Sequence, residues 1–114
     1  NEGAAAYETD DFEKAFPLFK KAAEKGHAKA QVLLGVMYSV GQATPRSLAK
    51  GYAWWSVVVR QVTEGLPSND EEAAGLAKKM LSMINDDLTP DQLVKGKKLA
   101  VEYWKKYVMP FVDG

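Results

Sequence analysis

The sequence predicts an all-α fold. Apolar residues recur at spacings of three and four, no segment sustains the period-two alternation of a strand, and helix-starting and helix-stopping residues punctuate the chain at short intervals. Asp10 with Glu13, Ser68 with Glu71 and Thr89 with Gln92 have the spacing of a capping box. In that motif a short side-chain oxygen accepts from a free backbone N–H and the residue three later reaches back. Thr44-Pro45 and Thr89-Pro90 put proline at a first helical position, where its missing N–H costs nothing. Gly26, Gly41 and Gly65 stand where helices should stop, because glycine accepts the left-handed conformation.

These signals predict five helices at about 11–25, 28–40, 45–63, 69–87 and 90–108, after a short stub near Glu2–Tyr7. In the first helix Ala15, Phe16, Phe19, Ala22 and Ala23 keep helical spacing across Pro17, which predicts a kink rather than a break. The second helix contains the apolar stretch Val32–Val40. In the third, Tyr52–Val59 is apolar at every position except Ser56. The fourth begins only after the insert Thr63–Asn69, which carries Gly65 and Pro67, and Glu71-Glu72 in its first turn suit the helix dipole. The fifth combines an apolar stripe of Leu93, Ala100, Tyr103, Trp104, Tyr107 and Phe111 with a basic strip of Lys95, Lys98, Lys105 and Lys106 around Glu102. Short connections predict antiparallel hairpins between neighbours.

A length of 114 residues fits one domain. Fifteen Lys and Arg balance fifteen Asp and Glu, so a nucleic-acid partner held by bulk charge is not expected. The chain has no cysteine, which excludes disulfides, thiol catalysis and cysteine zinc sites. The two longest apolar stretches are half the length of a membrane-spanning helix, so no membrane span is expected.

The chain also repeats itself. A shift of 36 positions lays Asp11–Lys25 on Ser47–Gln61: Phe12 meets Leu48, Ala15 meets Gly51, Phe16 meets Tyr52, and Leu18-Phe19 meets Trp54-Trp55. A helix pair per period cannot bury its apolar face alone, so such pairs stack into a solenoid. The run Ala22-Ala23-Glu24-Lys25-Gly26-His27-Ala28-Lys29-Ala30-Gln31, followed by Leu34-Gly35-Val36-Met37-Tyr38 and Gly41, resembles the Sel-one-like repeat (SLR), a relative of the tetratricopeptide repeat. Trp54-Trp55 is similar to the W-Y pair on the next repeat's first helix, and the segment from Thr89-Pro90-Asp91-Gln92 to Trp104 looks like a terminal segment of small bacterial members. The strong likeness covers residues 10–61. The family's G-x-G turn is here Gly41-Gln42-Ala43, and the second repeat lacks the A-x-A-Q and L-G positions.

The resemblance implies a short right-handed α-solenoid of antiparallel hairpins in a single domain. It divides into one repeat over about 11–41, a degenerate repeat over about 45–87, and a capping helix over about 90–108. It further implies a non-catalytic scaffold or adaptor for a protein or peptide partner, in a bacterial periplasmic or secreted setting suggested by Gly3–Tyr7, which resembles the region just after a signal peptide, and with self-association open. The alternative it offers is a hydrolase acting on β-lactam or peptidoglycan-type substrates, proposed for cysteine-rich members.

The residues that carry chemistry are few. His27 is the one histidine, which removes a three-histidine zinc site and an H-E-x-x-H helix, so no metal or cofactor is expected. The pairs Asp10-Asp11, Glu71-Glu72 and Asp86-Asp87 are adjacent residues that diverge on a helix and do not converge as an acid and a base. Trp54, Trp55, Val58 and Val59 match the inter-helix core of the repeat, which leaves Tyr52, Ser56, Val57 and Arg60 for a partner on the concave face. One period earlier, Lys14 and Lys20 occupy similar positions, with Pro17 and Lys21 beside them.

Overall fold

Five helices and a short C-terminal continuation make up the fold, in a computed structural model that describes residues 11–65 and 70–112, with 111 and 112 described by backbone only. They are α1 (Phe12–Glu24), α2 (Ala28–Val40), α3 (Leu48–Thr63), α4 (Glu71–Ile84) and α5 (Pro90–Tyr103). A π-helical turn, Trp104–Val108, and a last short helix, α6 (Met109–Val112), complete the run. Among the described residues there is no strand. The stub before residue 11, Asp10, Pro67, Ser68 and the Phe111 side chain lie outside the described residues.

The capping signals explain the starts, with three shifts. Asp11, rather than Asp10, accepts from the Lys14 N–H, and Asp70, rather than Ser68, accepts from the Ala73 N–H. The third helix begins at Leu48 rather than near Pro45, because the Ser47 hydroxyl accepts from the Lys50 N–H. Asp11 and Ser47 are 36 positions apart, so the repeat seen in the sequence is reproduced in the two caps. At Thr89 both arms of the capping box are made, with Pro90 at the first helical position. Helix α1 continues through Pro17.

Glycine closes the ends: Gly26, Gly41 and Gly65 have φ of 90°, 84° and 62°. Ala43 is the exception. It stands where the family pattern has its second glycine and takes φ 60°, a left-handed conformation that costs a residue bearing a Cβ.

Helix α1 pairs with α2, and α3 pairs with α4. Helix α3 is the centre, packed by α2, α4 and α5 together. That arrangement answers its continuous apolar run: Ala53, Trp54, Trp55, Val57 and Val58 are all buried. Backbones approach most closely where α2 crosses α3. A Cβ on Gly35 would sit 2.5 Å from Trp55 Nε1, and one on Gly51 would sit 3.0 Å from the Gly35 carbonyl oxygen. The Trp55 indole donates to the Val32 carbonyl at 3.0 Å, satisfying the polar edge of a side chain only 1% exposed.

Two glutamines are buried in this core. Gln31 Nε2 donates to the Ala23 carbonyl at 3.0 Å, and Gln61 Nε2 donates to Gln31 Oε1 at 2.9 Å. One short network thereby ties the end of α1 to α2 and α3, and the hydrogen bonds offset what burying the amides would otherwise cost.

Candidate functional site

The face nominated in the sequence is covered by the chain's own C-terminal helix. Val57 is 1% exposed and packs with Trp104 and Val108, so it is a core residue and not a contact for a partner. The correction has a physical reason: a helix apolar on all sides must be wrapped on all sides, and α5 supplies the side that α2 and α4 leave open. Tyr52 is half-buried against α5, where a Cβ on Gly96 would meet its ring at 2.7 Å. Ser56 is also half-buried. Arg60 is exposed; its guanidinium lies over the Trp104 ring at 4.0 Å and its Nε donates to Glu64 Oε2 at 2.6 Å.

Past Tyr103 the helix widens. The Met109 N–H donates to the Trp104 carbonyl, a π-type bond, and Pro110, which can donate none, follows directly. This turn carries Tyr107 and Val108 inward. Trp54 stacks on Tyr103 at 4.5 Å and on Tyr107 at 5.5 Å between centroids. Both tyrosines pack on the cluster built from Ala15, Phe19, Ala23, Ala30 and Leu34, so the segment reaches α1 as well as α3. Lys14 and Lys20 are exposed on α1. Structure therefore divides the six nominated residues: Lys14, Lys20 and Arg60 are open, Tyr52 and Ser56 are partly covered, and Val57 is closed.

Sequence reasoning found the stripe containing Tyr103, Trp104 and Tyr107 but not what it covers. The available signal was Gly96, a glycine within a helix whose missing side chain makes room for Tyr52. Burial holds the Tyr103 phenol well above its ordinary range, with Tyr38 and Tyr107 adding to the shift. Burial, and after it the neighbouring Glu24, raises Tyr38 and Tyr107 as well.

A cleft of about 380 Å³ opens beside the start of α3, lined by Arg46, Ser47, Leu48, Ala49, Gln92 and Lys95. Arg46 Nε donates to the Ser39 carbonyl at 3.0 Å. His27 caps α2 with its backbone only; among the described residues its imidazole makes no hydrogen bond. No group of three or more His, Asp or Glu side chains comes together among the described residues. No helix among them is long and apolar enough to cross a membrane.

No family model matches the chain. Over 48 residues, 42% of its length, it is 42% identical to a rat protein and a mouse protein, each called DAP3-binding cell death enhancer 1, and spans 9% of either. Among solved structures it is similar to c5321, a protective antigen present in uropathogenic Escherichia coli strains that displays an SLR fold. The TM-score is 0.77 at 25% identity, over 96% of this chain and 22% of that one. The fold is thus an all-α, solenoid-like SLR helical repeat, a unit far shorter than the proteins it matches.

Proposed function

We propose that the chain is a non-catalytic SLR scaffold that binds a protein partner. The observation that carries this reading is the stacked-hairpin fold itself, shared with c5321 over nearly the whole chain. The name of the rat and mouse relatives, which records binding to another protein, agrees with a protein partner as a class. We read 11–41 as the full repeat, 45–87 as the degenerate one and 90–108 as the cap. The partner face comprises the exposed Lys14, Lys20 and Arg60, with Tyr52 and Ser56 at its covered edge. No observation favours the hydrolase alternative, since among the described residues His27 engages neither a serine nor a carboxylate. The mammalian relatives lend nothing to a periplasmic or secreted setting, so the proposal carries no compartment.

Affinity capture on the intact chain tests it, with a Lys14→Glu, Lys20→Glu, Arg60→Glu variant shown by circular dichroism to be folded. A protein retained by the parent and lost by the variant, then rebinding directly when purified, supports both scaffold and face. Equal retention by the two overturns the face. Hydrolysis of a β-lactam or peptidoglycan substrate, abolished by His27→Ala, overturns the scaffold.

A further inference from the structure

Large apolar side chains left exposed are concentrated on the last two helices and their continuation. On α4, Leu76 is 40% exposed and Met83 65%; on α5, Val94 is 54% and Val101 50%. The members of each pair are seven residues apart, the spacing that returns to the same side of a helix after two turns. Each pair is therefore a short seam rather than scattered exposure. The π turn extends the α5 seam: it adds the equivalent of one residue, so Met109, eight positions beyond Val101 and 41% exposed, falls back into line.

The segments that bear the two seams carry opposite net charge, the acidic excess of the first coming from the cap and turn residues Asp70, Asp86 and Asp87. Asp70–Leu88 holds five carboxylates against Lys78 and Lys79, whereas Pro90–Val108 holds five lysines against Asp91 and Glu102. Among the described residues no ion pair joins α4 to α5; Lys106 pairs with Glu102 along its own helix. Glu72 lies one turn from Leu76 and Asp86 one turn from Met83, with Lys79 between the two apolar residues, whereas Lys98 and Lys105 each lie one turn from a seam valine.

We infer that α4 and α5 form the two halves of a self-association surface, the acidic seam of one copy packing on the basic seam of a second. A second copy matches because both halves occur on one chain, so a two-fold pairing makes the acidic–basic contact twice and uses each half once. An anionic membrane fits less well: Tyr103, Trp104 and Tyr107, the aromatic residues such a helix would insert, face inward. None of the charged residues reversed below belongs to the partner face proposed above.

Sedimentation equilibrium of the intact chain, from micromolar to sub-millimolar and at low and high salt, provides the test. The expected mass rises from monomer to dimer, and added salt weakens the dimer. Lys98→Glu with Lys105→Glu, and separately Glu72→Lys with Asp86→Lys, each lower the association constant by at least about tenfold, because like charges then face each other. Mixing the two reversed variants restores a heterodimer. All these positions are exposed, and circular dichroism checks that the variants fold. A parent that stays monomeric throughout overturns the inference, even if it binds anionic vesicles. So does an oligomer indifferent to salt and to both reversals, or a mixture that stays monomeric.

Discussion

Helices α2 and α4 hold the same place in their hairpins and are nearly the same length, yet they are packed very differently. Helix α2 buries eight residues, among them Val32, Leu34, Met37 and Tyr38, while α4 buries only Ala73, Ala74 and Ala77. Their surroundings account for the difference. Helix α2 lies between α1 and α3, whereas α4 leans mainly on α3 and leaves Leu76 and Met83 in solvent. An inner element of a stacked array can afford large side chains on two sides; a terminal one fits closely with small residues on one side only.

The largest effect that breaks this contrast comes from the α2–α3 crossing. Trp55→Ala should cost about 3–5 kcal/mol in urea unfolding, since it leaves a cavity against Gly35 and frees the Val32 carbonyl. Met83→Ala, on the exposed side of α4, should change stability by less than about 0.5 kcal/mol. Equal losses at the two positions would remove the distinction.

Gln61→Leu comes next. It takes the donor from buried Gln31 Oε1 and should cost about 1–3 kcal/mol. The double change Gln31→Leu, Gln61→Leu should cost less than the sum of the single changes, because no orphaned amide remains and the Ala23 carbonyl still accepts from the Gly26 N–H.

The inserted C-terminal segment adds a pH dependence. Tyr103 keeps its proton in the folded chain well above the ordinary phenol value of 10.0, while in the unfolded chain it loses it near that value. The unfolded state thus binds fewer protons at alkaline pH, and stability present below pH 10.0 falls as pH rises above it. Denaturant unfolding across that range should show a shallower fall for Tyr103→Phe, with part of the slope kept by Tyr38 and Tyr107.

A modest effect in the turn between α2 and α3 has the opposite sign. Ala43→Gly relieves the left-handed strain at φ 60° and should raise stability by about 1 kcal/mol, measured as a higher denaturation midpoint. A loss there would mean that the turn tolerates alanine without cost.

Much of the first hairpin was legible because its rules are local. The α1 apolar residues, Gly26, the A-x-A-Q stretch and Gly41 each act within a few residues of their own position, although the cap of α1 falls on Asp11 and not on the expected Asp10. At the third helix the local signal misled: Thr44-Pro45 reads as a start, but Ser47 caps α3, where Gly51 crosses Gly35. The covered state of Val57 was not legible, because periodicity shows that a face is apolar without naming what lies on it. That α5 returns to α3 depends on contacts between residues far apart in sequence, which Gly96 and the tyrosine–tryptophan stripe register only as small and aromatic positions.

The proximity of Tyr107 to Glu24 has a consequence for how the molecule comes apart. In an open array each unit touches only its neighbours, so unfolding can begin at one end and proceed unit by unit. Here the segment after the last long helix touches the first, closing the succession into a ring of contacts. Fraying at either end then removes support from the other, which favours a single cooperative transition over stepwise loss of helices. A chain of repeats closed in this way is expected to melt as an ordinary globular domain does.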